Sequence, residues 1–250
     1  MCLILLALDC VPQRPWLLLG NRDEFHARSS AAAAAWDDAP DVVGGRDLQA
    51  RGSWLALNRN GRFAAVTNVR SGIPARGPRS RGDLVADFVR GADTPQHYAD
   101  AISARHDEYG PFNLVVGDGT AVCGVSSTRH EPWRLLSGIH VLSNGAPDAR
   151  WPKTRRLRAA FEEMLKSGKM QDAALLDVLG DSSVPRDDEL PETGVGIDLE
   201  RLLAPVFIRG DSYGTRASTL AYAQSGGGMI LHERRFGPGG ALLGESHLAI

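Results

Sequence analysis

Cysteine is scarce in this chain, and so are the patterns that give cysteine a structural job. Three occur in 250 residues, Cys2, Cys10 and Cys123, with no C-x-x-C spacing. That spacing excludes a zinc ribbon and a disulfide framework, and a small odd count suits a reducing compartment. The seven histidines (His26, His97, His106, His130, His140, His232 and His247) are scattered, so no metal site is read from them. There is no C-x-x-C-H attachment motif and no Cys-Pro pair, and methionines number four. The residues themselves therefore give haem no anchor and imply no cofactor. Excess positive charge is missing too: 28 Lys and Arg face 30 Asp and Glu, a net charge of −2. Binding to nucleic acid needs a basic patch, so that class is set aside. No apolar run approaches a membrane span. Leu3–Leu8 is apolar, but no Lys or Arg precedes it and it is short for a signal sequence. Leu6-Ala7-Leu8-Asp9-Cys10 places Asp9 where a lipoprotein site needs a small residue. The expected location is cytoplasmic.

What is present suits an enzyme-sized soluble domain. The composition is 43% hydrophobic and 23% charged, and a chain of this length buries a large core. No internal repeat or linker divides it, so one domain over 1–250 is expected. The most informative residue is Cys2. If Met1 is removed, Cys2 carries a thiol and a free α-amine on adjacent atoms. An amine titrates near ~7.7–8.0 and a thiol near ~8.5, so the neutral amine can take the thiol proton. One residue then supplies both nucleophile and base.

Two short apolar runs, Leu3–Leu8 and Trp16–Leu19, flank a Pro-rich polar turn at Val11–Pro15. They read as a hairpin of buried strands. Its geometry brings Cys2 beside Asn21-Arg22-Asp23-Glu24, a polar cluster expected at the end of the second strand. A guanidinium there favours the thiolate, and a carboxylate can orient the amine. Trp54–Asn58 and Phe63–Thr67 form a second hairpin around Asn60-Gly61. Leu84, Val85, Phe88 and Val89 have helical spacing over Asp83–Arg90, ending at Gly91. Thr94-Pro95 opens a helix through about Arg105. Phe112–Val116, Ala121–Val125 and His140–Ser143 read as strands. Pro152–Lys166 is an amphipathic helix with Leu157, Phe161, Met164 and Leu165 on one face, and Asp172–Leu179 a short helix. Pro205–Arg209, Arg216–Tyr222 and Met229–Arg235 read as closing strands, the last two joined by Gly226-Gly227-Gly228. Ala31–Ala35 with Asp37-Asp38 reads as a loop. Strand pairs alternating with helices point to an α+β fold, a four-layer α-β-β-α sandwich of two antiparallel sheets.

The ordered set Met1-Cys2, Asn21-Arg22-Asp23-Glu24, Gly44-Gly45-Arg46-Asp47, Trp54-Leu55-Ala56, Thr67-Asn68-Val69-Arg70, Ser143-Asn144-Gly145, Trp151-Pro152-Lys153 and Gly214–Thr219 resembles the NRDE family. This is also called the transport and Golgi organisation protein 2 family. The resemblance covers nearly the whole chain and implies the same sandwich, that of N-terminal-nucleophile hydrolases. It further implies a small-molecule amide or acyl substrate, with haem as a cargo in the alternative reading of a haem or lipid carrier. By the same resemblance, Asn68 and Asn144, each at a strand end, would flank the thiol and stabilise an oxyanion. Fixed donors at such a place are worth roughly 2.7–4 kcal/mol each. Arg216 resembles a second active-site arginine. The expected site is thus Cys2, Arg22, Asp23, Asn68, Asn144 and Arg216.

Overall fold

The computed structural model describes residues 2–72, 77–147 and 149–250. In chain order the strands begin with β1 (Cys2–Val11), β2 (Arg14–Phe25), β3 (Ser30–Trp36), β4 (Ala39–Asp47), β5 (Leu55–Asn58) and β6 (Phe63–Asn68). Helices α1 (Arg81–Arg90) and α2 (Pro95–Ser103) follow, then β7 (Phe112–Gly117), β8 (Val122–Ser126), β9 (Trp133–Arg134) and β10 (Gly138–Leu142). The remainder is α3 (Pro152–Ser167), α4 (Asp172–Asp177), α5 (Ile197–Leu203), β11 (Tyr213–Ala223), β12 (Met229–Phe236) and β13 (Leu242–Ala249).

These strands make two antiparallel sheets. One has the order β10-β1-β2-β11-β12-β13, the other runs from β3 to β9 in sequence order. Three buried clusters define four layers. Leu6, Leu18, Leu57 and Phe63 pack between the sheets, where the Trp16 and Phe63 rings lie 4.3 Å apart. Leu84, Phe88, Tyr98 and Ile102 of α1 and α2 cover the outside of the second sheet. Leu157, Phe161, Leu175 and Leu176 of α3 and α4 cover the outside of the first. The strands of β1 and β2 are buried on both faces, which is why they read as continuous apolar runs rather than an alternation. The fold is therefore the α+β sandwich expected from the sequence.

Local chemistry accounts for several boundaries. Ser80 caps α1 in a capping box with Asp83, so the helix starts at Arg81, two residues before the first residue read as helical. Thr94 caps α2 and Pro95 fills its first turn. Gly61, at φ 91°, closes the β5–β6 hairpin as the left-handed residue of a three-residue loop.

Four expectations are corrected. Ala31–Ala35 is not a loop but lies in β3, an edge strand paired with β4, and Asp37-Asp38 forms the turn between them. Alanine's weak strand preference hid it. Pro205–Arg209 is not a strand, although all of it but the exposed Arg209 is buried. Its polar groups are taken up singly, by Asn21 at the Val206 carbonyl, by Thr215 at the Ile208 amide and by the Asp181 carbonyl at the Phe207 amide. The cluster at 21–24 does not end β2, which continues through it to Phe25. Helix α2 stops at Ser103, short of Arg105.

Candidate active site

The end of β2 is held between two partners. On one side the β1 register sets Cys2 opposite Arg22 and Leu3 opposite Asn21. The Cys2 side chain and all of Met1 lie outside the described residues. On the other side β11 pairs Thr215 with Asp23 and Ala217 with Arg22, so Arg216 is the extra residue of a bulge. Bulges beside active sites commonly re-aim a side chain.

Alternation along β2 sends its polar residues to opposite faces. Arg22 faces the other sheet. It is 5% exposed, stacks over Trp54 at 4.4 Å and lies 3.5 Å from Asp47. Its Nη1 has no hydrogen-bond partner among the described residues. Asn21 and Asp23 face the helix layer and are each 1% exposed. Asn21 is structural: its Nδ2 donates to the Leu179 and Val206 carbonyls, and its Oδ1 accepts from Ser218 at 2.6 Å. Asp23 accepts from the Thr215 hydroxyl at 2.7 Å, and its own carbonyl accepts from Tyr213. Burial pushes the Asp23 carboxyl up from its ordinary value, while Lys153, the Thr215 hydrogen bond and Arg22 pull it back.

Asn68, the last residue of β6, is half-buried and lines the cavity next to Arg22. Asn144 is completely buried behind it. The Asn144 Nδ2 donates to the Asn68 carbonyl at 3.0 Å, and its Oδ1 accepts from Lys153 Nζ at 2.8 Å. A polar ladder fixes this segment: Thr67 and Asn113 both donate to the Ser143 carbonyl, and Asn113 is held in turn by Ser126. Arg216 spends one nitrogen, Nη1, on three carbonyls, those of Phe25, His26 and Arg28. It thus braces the turn after β2. Burial and the neighbouring Arg22 push its pKa down.

Arg22, Asp23 and Asn68 border a cavity of about 920 Å³. Arg22, Arg28, Arg79 and Arg81 line it together with Asp23, Glu24 and Asp47, and Trp54, Leu199 and Leu202 give it apolar wall. Helix α5, which carries the two leucines, is anchored from beneath. Its Glu200 pairs with Arg70 at 2.7 Å, both side chains 4% exposed, and Lys153 donates to the Leu203 carbonyl. Arg22, Asp23 and Asn68 all border the cavity, whereas Asn144 and Arg216 stand behind it as supports.

The model of the family Transport and Golgi organisation 2 matches residues 1–238. The chain belongs to that family. The Bos taurus Transport and Golgi organization protein 2 homolog is 29% identical over 258 residues, spanning 94% of this chain and 92% of that one. Drosophila melanogaster Transport and Golgi organization protein 2 is 28% identical, over 90% of this chain and 88% of its own. Among solved structures, a mutant of conjugated bile acid hydrolase from Clostridium perfringens is similar with a TM-score of 0.57. It is 9% identical, covering 100% of this chain and 92% of that one. A Caenorhabditis elegans N-acylethanolamine-hydrolyzing acid amidase ortholog gives a TM-score of 0.52 at 12% identity, over 88% of this chain and 92% of its own. At these identities the likeness to both neighbours is one of fold.

In this member of the Transport and Golgi organisation 2 family, sequence reasoning passed over Lys153 as a site residue. A signal was available. Lys153 stands four residues before Leu157, on the stripe that Phe161 and Met164 continue, so the helical period already placed it on the buried face. The Arg70–Glu200 pair had no such signal, because 130 positions separate its members.

Proposed function

We propose that this chain hydrolyses a nonpeptide amide or acyl compound with Cys2 as its N-terminal nucleophile. The observation that carries the reading is the register that sets Cys2 opposite Arg22, beside a cavity that Asn68 also lines. Residues directly opposite in an antiparallel pair share a face of the sheet, so a guanidinium stands next to the thiol position. The fold is that of two hydrolases named for a conjugated bile acid and for N-acylethanolamines, which favours a small amphiphilic amide over a peptide.

The chemistry follows from the parts. Once Met1 is gone, the Cys2 amine takes the thiol proton, and Arg22 favours the resulting thiolate. The sulfur attacks the carbonyl carbon, and negative charge develops on oxygen. Asn68 donates to it from the cavity wall. Asn144, one N–H already on the Asn68 carbonyl, braces that residue and has a second N–H to offer. Collapse breaks the C–N bond, and the ammonium of Cys2 returns the proton to the leaving amine. Water then cleaves the thioester. Asp23 orients the amine, and Arg216 keeps the turn after β2 in place.

Intact mass should show loss of Met1, and iodoacetamide should label Cys2 faster than Cys10 or Cys123. Burial pushes the Cys123 thiol up, so it is the slow internal standard. Equal rates for all three would sink the reading. Cys2→Ser should bind an N-acyl amino acid, β-lactam or acyl-thioester yet turn it over far more slowly, since a serine hydroxyl stays protonated near neutral pH. No turnover on that panel by protein lacking Met1, with haem binding indifferent to Cys2→Ser, would replace the enzyme by a carrier.

A further inference from the structure

Far from the cavity, on the outer face of the first sheet, three side chains converge. Single ligand atoms of Asp172, His232 and His247 all lie within 4.8 Å of one another. Each comes from a different element. Asp172 opens α4, His232 is central in β12, and His247 stands directly opposite it on β13. The two imidazoles meet edge to face at 5.3 Å between ring centres.

We propose that these three residues bind a divalent late transition ion of the zinc, nickel or copper(II) type. The hydrogen bonding around them is what distinguishes the cluster from a chance meeting. His232 Nε2 lies 2.9 Å from the Glu245 carboxylate. A carboxylate only accepts, so this nitrogen carries the proton and Nδ1 is left with a lone pair. That Nδ1 is buried and has no hydrogen-bond partner among the described residues. A carboxylate that fixes the far nitrogen of a ligating histidine is the usual outer support of a metal-bound imidazole. Glu245 is itself held by Arg234 at 3.0 Å. Asp172 is oriented too: Arg14 donates to its Oδ1 at 2.9 Å and Tyr222 to its Oδ2 at 3.1 Å. A carboxylate offers about four lone pairs, so each oxygen retains one. Two imidazoles and one carboxylate favour zinc, nickel or copper over magnesium or calcium, which prefer all-oxygen shells. Three protein ligands leave a coordination position for water. Bound there, the ion would tie edge strand β13 and helix α4 to β12.

Calorimetric titration of zinc into the full-length Cys2→Ser chain tests this, the serine removing a competing terminal thiol. One ion per chain is expected, with affinity falling about tenfold or more in His232→Ala and in His247→Ala, and by about 10–100-fold in Glu245→Ala. His130→Ala, on the far side of the molecule, should bind as the parent does. Cobalt(II) in place of zinc should give visible d–d bands that His247→Ala abolishes. His247 is exposed, so that variant should retain the parent's circular dichroism. Absence of one-to-one zinc binding, or binding that survives both histidine substitutions, would overturn the site.

Discussion

At the residue scale, the chemistry of the site turns on charges taken out of water. Asp23 is the clearest case, because its folded carboxyl lies above the ordinary value of 3.8 through burial. A raised acid favours the folded state fully below about 3.8, and that contribution is lost as pH rises through the folded value. Asp23→Asn should therefore flatten the fall in stability as pH rises above about 3.8, measured by urea unfolding at a series of pH values. An unchanged slope would show that Asp23 is not the group responsible. Lys153 is the strongest opposing charge, and it also donates to Asn144 and to the Leu203 carbonyl. Lys153→Met should cost about 1–3 kcal/mol by leaving buried acceptors short of a donor. It should also push the Asp23 carboxyl further up and slow Cys2 labelling per folded molecule. Loss of stability without any change in labelling would make Lys153 a purely structural residue.

At the scale of elements, β2 shows what was legible in the sequence and what was not. Its hairpin with β1 was readable because both strands are unbroken apolar runs. Its continuation through Asn21–Phe25 was not, because polar residues normally end a strand. Here each has a partner distant in sequence: Asn21 the Val206 carbonyl, Asp23 the Thr215 hydroxyl, Arg22 the Trp54 ring and Asp47. The same distance hid the true nature of Pro205–Arg209, whose apolar side chains mimic a strand while its backbone serves Asn21. Helix α5 was missed altogether. Seven residues with three leucines on a half-exposed surface give too little periodicity to register. Its anchor makes a direct prediction. Glu200→Gln leaves Arg70 buried without its counter-charge and should cost about 3–5 kcal/mol. Limited proteolysis should then cut first within residues 191–203, where Thr193 also loses the carboxylate it donates to. Cutting elsewhere first would mean that α5 is held by its leucines.

At the scale of the molecule, the layers were readable because strand pairs and amphipathic helices alternate, and a layered sandwich buries their apolar faces. The strand order was not, since β11 inserts beside β2 nearly 190 residues later in the chain. The centre of the sandwich should carry the stability. Leu57→Ala, between the sheets, should cost about 2–5 kcal/mol, whereas Leu136→Ala, 69% exposed, should stay within about 0.5 kcal/mol. Chemical denaturation of the two variants checks the contrast. The edge of the first sheet behaves differently. Strand β13 pairs with β12 alone, and its residues are half or fully exposed along its whole length. It is the strand with least to lose on opening, so its amides should exchange hydrogen faster than those of β2 or β11. Each opening bares the unpaired edge of β12, with Ile230 and Leu231 beside it, as a template for a foreign strand. The last strand is in effect a removable seal, and the tendency of the protein to aggregate should track how often it lifts.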